Sequence, residues 1–255
     1  RFNEAYLMHA STSPQYSIIA SCDIAAAMMD APGGTALTEE SLIEAMDFRH
    51  AMRKAEAEFA ELNTWWFKVW GPEHLPSNGI GTSSDWQIKA GDDWHGFGAI
   101  EPDMNILDPI KTTVMMPGLN MSGTFEETGI PAAIVAKYLS DYGIIIDKVG
   151  LYSFFVIFNI GITKGRWSSL LIELQQFKDI YDDNKPIWRI FPEFAKSYPQ
   201  YEKMGIKDLC QAIHDTYKKY NIAHTLHDMY VKPIVPAMTP ADAWGRVAHR
   251  KVMRV

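Results

Sequence analysis

Between about residues 110 and 181 the chain runs strand, helix, strand, strand, helix, and that order predicts an α+β fold: an open antiparallel sheet with helices on one face. Two further observations agree. Ala45, Phe48, Met52, Ala55, Phe59 and Leu62 recur at alternating steps of three and four, a helical stripe. The apolar runs Ile144 to Lys148 and Leu151 to Asn159 are separated only by Val149-Gly150, too little chain for a crossover, so they read as a hairpin.

The opening stretch, Tyr6 to Tyr16, places His9, Ser11, Thr12 and Ser13 within five positions, and Pro14 follows. Hydroxyls beside a helix start suit a phosphate oxygen. The same residues also read as an ordinary cap, with Ser13 at N-cap and Pro14 first in the helix. That helix, from about Pro14 to Met29, is rich in Ala and Ile and carries one charge, Asp23. A helix apolar on most faces must be buried or sit at a subunit contact. Asp30-Ala-Pro-Gly-Gly34 stops it and marks a first boundary. Thr38 reads as the next N-cap, with Glu39 and Glu40 where the helix dipole favours them. Arg49, Arg53 and Glu56 would share the solvated face opposite the stripe.

Trp65 to Trp70 favours a strand, closed by Gly71-Pro72. Glu73 to Gly91 is polar and rich in Gly and Ser, a surface excursion. Trp94-His95-Gly96-Phe97 interrupts the loop, either as a site or as aromatics pinning it to the core. Ile110 to Met116 reads as a strand, and Pro131 opens a helix that Gly143 ends. After the hairpin, Trp167 to Tyr181 carries Leu170, Leu171, Leu174 and Phe177 at helical spacing. Asp182 to Pro186 marks a second boundary. Beyond it lie helices from Ile187 to Lys196 and from Ile206 to Tyr220, with Leu209, Cys210, Ile213 and Tyr217 inward.

A net charge of −7 over 255 residues, with no long basic run, argues against a nucleic-acid partner. No apolar run reaches the roughly 18 residues of a membrane helix, and no signal peptide is found. Cys22 and Cys210 read as reduced core residues of a cytoplasmic protein. His214, His224 and His227 read as surface histidines, because only Asp228 offers itself as a further metal ligand. Gly-x-Gly-x-x-Gly, Walker, His-Glu-x-x-His, Cys-x-x-Cys and Gly-x-Ser-x-Gly motifs do not occur. Asp147 ends the apolar run Ile144-Ile-Ile, where a carboxylate is costly unless a cation such as Lys148, or water at the strand end, meets it. The chain starts in mid-pattern at Arg1 and ends on a basic stretch, which reads as a piece of something longer.

Six stretches, taken in order, resemble the bacterial pyridoxal-phosphate-dependent lysine/arginine/ornithine decarboxylases of aminotransferase-like fold. They are Arg1 to Tyr16, Ala25-Ala-Ala-Met-Met-Asp30, Trp94-His-Gly-Phe97, Leu107-Asp-Pro-Ile-Lys111, Gly129-Ile-Pro131 and Gly161-Ile-Thr-Lys-Gly-Arg-Trp167. The resemblance spans essentially the whole chain and is nearest to the lysine/arginine branch. It implies that 1–30 end a large cofactor-binding domain, that 31–185 form a small α+β domain with an antiparallel sheet, and that 186–255 begin a mainly helical C-terminal domain. The family's Ser-x-His-Lys motif, whose lysine carries the cofactor, does not occur here, so the resemblance implies no catalytic residue in this chain and no activity of the chain alone. By position, Ser11 and more weakly Ser13 match residues that reach the phosphate of pyridoxal 5'-phosphate in the neighbouring subunit. Asp147 matches an acid that meets the distal cation of the substrate. Members of the lysine type usually have Glu there, and Asp reaches roughly 1.5 Å less. The implied function is decarboxylation of L-lysine to cadaverine, with arginine or ornithine as the alternative substrate. The implied partner is a second copy, in a homodimer with a shared active site and further assembly of dimers. No metal, nucleic acid or membrane is implied. A homologue that has lost its chemistry and serves as an assembly domain is the alternative of another class.

Overall fold

A computed structural model describes residues 2–10, 13–77, 79–146, 148–233 and 237–244. Two helices, α1 (Phe2–His9) and α2 (Tyr16–Met29), lead into the long α3 (Gly33–Glu61). A four-stranded antiparallel sheet follows: β1 (Lys68–Val69), β2 (Lys111–Met115), β3 (Lys148–Val149) and β4 (Ser153–Ile157), in spatial order β1-β2-β4-β3. Helix α4 (Ala132–Asp141) lies between β2 and β3, and α5 (Lys164–Asp182) follows β4. The expected strand-helix-strand-strand-helix order is therefore present, and the fold is α+β. Shorter helices complete the chain: α6 (Ile187–Ile190), α7 (Pro192–Ser197), α8 (Ile206–Lys219), α9 (Ile222–Val231) and α10 (Pro240–Trp244).

Alternation along the strands decides which face meets the helices. Phe154 and Phe158 are buried against Phe48, Val135, Leu174 and Phe177, while Ile157 stays 42% exposed on the other face. The same core runs on through Ile187, Phe191, Ala195, Ile206 and Cys210, past the turn at 182–186. Every β2 residue pairs with β4, from Lys111 opposite Ile157 to Met115 opposite Ser153. By contrast β1 and β3 hold two pairs each.

Several local expectations are corrected. Helix α2 starts at Tyr16 with Gln15 at its N-cap, so Ser13 is not the N-cap and Pro14 is not the first helical residue. Helix α3 starts at Gly33, not after Thr38, whose hydroxyl donates back to the carbonyls of Gly34 and Thr35. The glycines serve the entry. A Cβ at Gly34 would stand 2.0 Å from the Met29 carbonyl oxygen, an approach only glycine allows. Arg49 is not on a solvated face. It is fully buried and donates from Nε to Pro109 O, from Nη1 to Trp70 O and from Nη2 to Lys111 O. The aromatic strand shrinks to two residues, and Trp66 and Phe67, adjacent in sequence, are both buried just ahead of it. The surface excursion folds inward at a 3₁₀ turn, Ser83–Trp86, capped reciprocally by Thr82 and Asp85. Trp86 there joins Met46 and Leu107 in a second small core. Leu62 leaves the stripe at 72% exposure, Cys22 is exposed, and the predicted helix over 187–196 breaks into α6 and α7.

Candidate functional site

Of the residues singled out for a site, Ser11 and Asp147 lie outside the described residues. Ser13 is described, exposed in the bend between α1 and α2. Neither helix buries a residue, so this limb is an arm standing off the body. The Ile18 and Ile19 amides both turn back to the Gln15 carbonyl, and the Gln15 side chain makes no cap bond. A helix start next to a serine presents amide donors of the kind an anion takes.

The flanks of position 147 are both described. Ile144 and Ile146 pack at the margin of the main core, and Ile145 is 85% exposed. On the other side Lys148 opens β3 opposite Phe155, with its ammonium over that ring at 5.8 Å from the centroid. A cleft of about 300 Å³ lies here, lined among others by Ile144, Ile146, Phe155, Ile162 and Arg166. Its wall is tied to α3, because the Trp167 indole donates to the Glu44 carboxylate. An apolar trough with a charge near its mouth suits an aliphatic stem carrying a polar end.

The Trp94-His95-Gly96-Phe97 cluster pins its loop. His95 is buried, and its Nδ1 accepts the Phe97 amide at 2.8 Å, which leaves Nε2 to donate to the Lys89 carbonyl at 2.9 Å. Trp94 lies edge-on to the imidazole and Phe97 stacks on it. Both nitrogens are spent on backbone, so this histidine has no proton to trade with a ligand. A wider cleft of about 810 Å³ runs beside the loop past Trp70, Glu73 and Trp94.

One arrangement was not read from the sequence. His214 is fully buried rather than at the surface. Its Nδ1 accepts the Tyr152 hydroxyl at 2.6 Å, and its Nε2 donates to the Glu126 carbonyl at 3.1 Å. Burial, foremost, pushes the Tyr152 hydroxyl pKa upward, so it stays a donor. The signal was present: 214 follows 210 by one turn on the inward stripe of α8. His224 and His227 are exposed, and among the described residues no group of three or more His, Cys, Asp or Glu is placed to hold a metal ion. No helix among them is long and apolar enough to cross a membrane.

Comparison with known proteins extends this picture. The family model described as Orn/Lys/Arg decarboxylase, major domain, matches residues 1–166. Lysine decarboxylase LdcA of Pseudomonas aeruginosa is 43% identical over 256 aligned residues, covering 100% of this chain and 34% of its own length. The biodegradative arginine decarboxylase of Escherichia coli is 37% identical and is matched over 99% of this chain and 36% of its own. Among solved structures, that of lysine decarboxylase A from Pseudomonas aeruginosa superposes with a TM-score of 0.85 at 45% identity, over 95% of this chain and 32% of that one. The chain thus spans about a third of the length of the relatives it matches.

Proposed function

Because the chain belongs to the Orn/Lys/Arg decarboxylase family, we propose that it is the part of a pyridoxal-phosphate-dependent decarboxylase that links the cofactor domain to the substrate-facing small domain. The substrate is a basic amino acid, lysine first. What carries this reading is the identity of 43% to a lysine decarboxylase along the whole chain, against 37% to an arginine decarboxylase. In this reading 1–30 close the large domain, 31–185 form the small domain and 186–255 open the C-terminal domain.

The helix start beside Ser13 supports a place for the cofactor's anionic end. Ser11 and Ser13 precede the start of α2, whose N-cap Gln15 makes no side-chain cap bond, and they would hold the phosphate of the neighbouring subunit. When bound, pyridoxal phosphate supplies the electron sink that lets CO2 leave an amino acid. The chain's own contribution is orientation. Asp147 would take the distal ammonium of the substrate, and the isoleucines beside it would shield the methylene stem from water. Holding both ends of the substrate fixes the angle of the carboxylate to the cofactor ring.

The test is the full-length protein with added pyridoxal phosphate, assayed for CO2 release from lysine, arginine and ornithine side by side. Lysine should give the highest kcat/KM, by about tenfold or more, which is roughly 1.4 kcal/mol of discrimination. A preference for arginine or ornithine overturns the substrate. No CO2 from any of the three overturns the enzyme reading and favours an assembly domain.

A further inference from the structure

We propose that the wide cleft beside the Trp94 loop binds a linear aliphatic polyamine, a flexible chain whose ammonium groups are spaced by methylenes. The proposal goes beyond the decarboxylase reading and does not depend on it. The cleft measures about 810 Å³, within the ordinary range for small-molecule sites. Two half-buried indoles, Trp70 and Trp94, stand in its wall with ring centroids 4.8 Å apart, and Met115 and Met121 add apolar surface. Much of this wall is fixed by the fold itself. The Trp70 amide donates to the Thr113 carbonyl at 2.9 Å, which carries the β1–β2 ladder one residue further. The Trp94 indole donates to Asp92 at 3.2 Å, and its ring rests edge-on against His95, whose nitrogens are both taken by backbone. Rings held in this way lose little freedom when a cation settles on them.

Charge selects the ligand. Five carboxylates and three Lys or Arg side chains line the cleft, and each of the three cations is answered nearby. Arg53 donates to the carbonyls of Pro72 and Glu73 at 2.6 Å each, Lys68 pairs with Glu56 at 3.7 Å, and Lys89 sets its charge near Asp85. Three carboxylates are left over. Glu73, Asp92 and Asp93 pair with no cation among the described residues. An anion would meet net negative charge there. A single metal ion does not suit the wall either, because no three His, Cys, Asp or Glu side chains among the described residues are grouped to hold one. Carboxylates that stand apart, beside indole and thioether surface, match a ligand whose charges also stand apart. Its ammoniums meet carboxylates or tryptophan faces, and its methylenes cover the apolar wall.

The experiment titrates the full-length protein, loaded with pyridoxal phosphate, with spermidine at about 0.1 M salt and follows the heat of binding. Saturable binding is expected with a Kd of about 0.1 mM or tighter, and butylamine, which has a similar stem and one charge, should bind about tenfold more weakly or less. Glu73→Gln combined with Asp93→Asn removes two exposed charges and leaves the core alone. It should weaken spermidine about fivefold to tenfold, with the thermal unfolding midpoint unchanged within about 2 °C. No saturation by about 5 mM spermidine would overturn the proposal. So would an unchanged affinity in the double variant, which would place the ligand elsewhere on the protein. Magnesium displacing spermidine at equal concentration would overturn it as well, since the cleft would then only gather cations through its field. The readout is binding, not CO2 release, so a failed decarboxylation assay leaves this test standing.

Discussion

Helices α2 and α5 are both rich in apolar side chains, yet α2 buries none of its 14 residues while α5 buries six of its 19. The difference lies in pattern. In α5, Trp167, Leu170, Leu174, Phe177 and Tyr181 recur on one stripe, and Arg166, Glu173 and Asp179 take the rest of the surface. Such a helix needs one partner surface, and here α3, α4 and α8 supply it. In α2, Ile18, Ile19, Ile24, Met28 and Met29 point in all directions around Asp23, and each is at least 45% exposed. A helix of that kind gains from being surrounded, and the described residues of this chain do not bury it. The comparison predicts that substitutions in the two regions behave differently.

The largest effect is expected in the body, at Arg49. Burial, aided by the nearby charge of Arg53, lowers its pKa to about 10, still far enough above neutrality to keep it protonated. Its three donors satisfy carbonyls at the end of β1 and the start of β2, and the guanidinium carbon lies 5.4 Å from the Trp86 ring centroid. Arg49→Met keeps much of the stem but takes the Arg49 donor from three carbonyls. The expected loss is about 3–5 kcal/mol in chemical denaturation. A loss below about 1 kcal/mol would mean that water reaches those carbonyls and the body is not the closed unit described above.

Arg49 also shows where sequence reading reaches and where it stops. Periodicity located α3, α4, α5 and the hairpin because one-sided burial writes a period of 3.6 or 2 into the residues. The same periodicity put Arg49 on the wrong face, since a charged side chain counts as polar whether it meets water or three carbonyls. Thr38 failed for a related reason. Its composition suits a cap, but the stop at Asp30-Ala-Pro32 already placed the helix start at Gly33. The resemblance named the family from short stretches, and in the proposed reading the site residues it pointed to, Ser11 and Asp147, would act with partners in another domain or subunit. Nothing in the local pattern of this chain could have specified those partners. The Tyr152–His214 pair went unread because a residue in a turn and one on a helix 62 positions later share no local signal.

A smaller effect should separate the regions by pH. Burial pushes the Cys210 thiol pKa from 9.0 up to about 12. The folded state therefore holds the neutral thiol, while the unfolded chain releases the proton near its ordinary value. The contribution is complete below about pH 9 and is lost as pH rises towards 12. Between pH 8 and pH 10 the unfolding free energy should fall by about 1 kcal/mol more than in Cys210→Ala. Burial pushes Tyr138, Tyr152 and Tyr181 upward as well, so the alanine variant is the control that isolates the thiol. Identical pH profiles for the two proteins would mean the thiol is solvated.

The smallest effect is expected in the arm, and its size should depend on what surrounds the arm. Ile24 is 59% exposed on α2. In the 255-residue chain, Ile24→Ser should change the unfolding free energy by no more than about 0.5 kcal/mol, the usual range for a surface position. In the full-length protein the same change should cost about 1–3 kcal/mol, because the side chain would be covered there and the serine hydroxyl would lose water. Parallel denaturation of the two forms measures the difference directly. Equal small losses in both would leave α2 a solvated helix, and its unbroken apolarity would then need another cause. Equal large losses would place α2 against the body and remove the contrast with α5. Only a loss confined to the longer protein shows that the arm's apolar residues are addressed to a surface beyond the body, where the phosphate contact of Ser11 and Ser13 would also be completed.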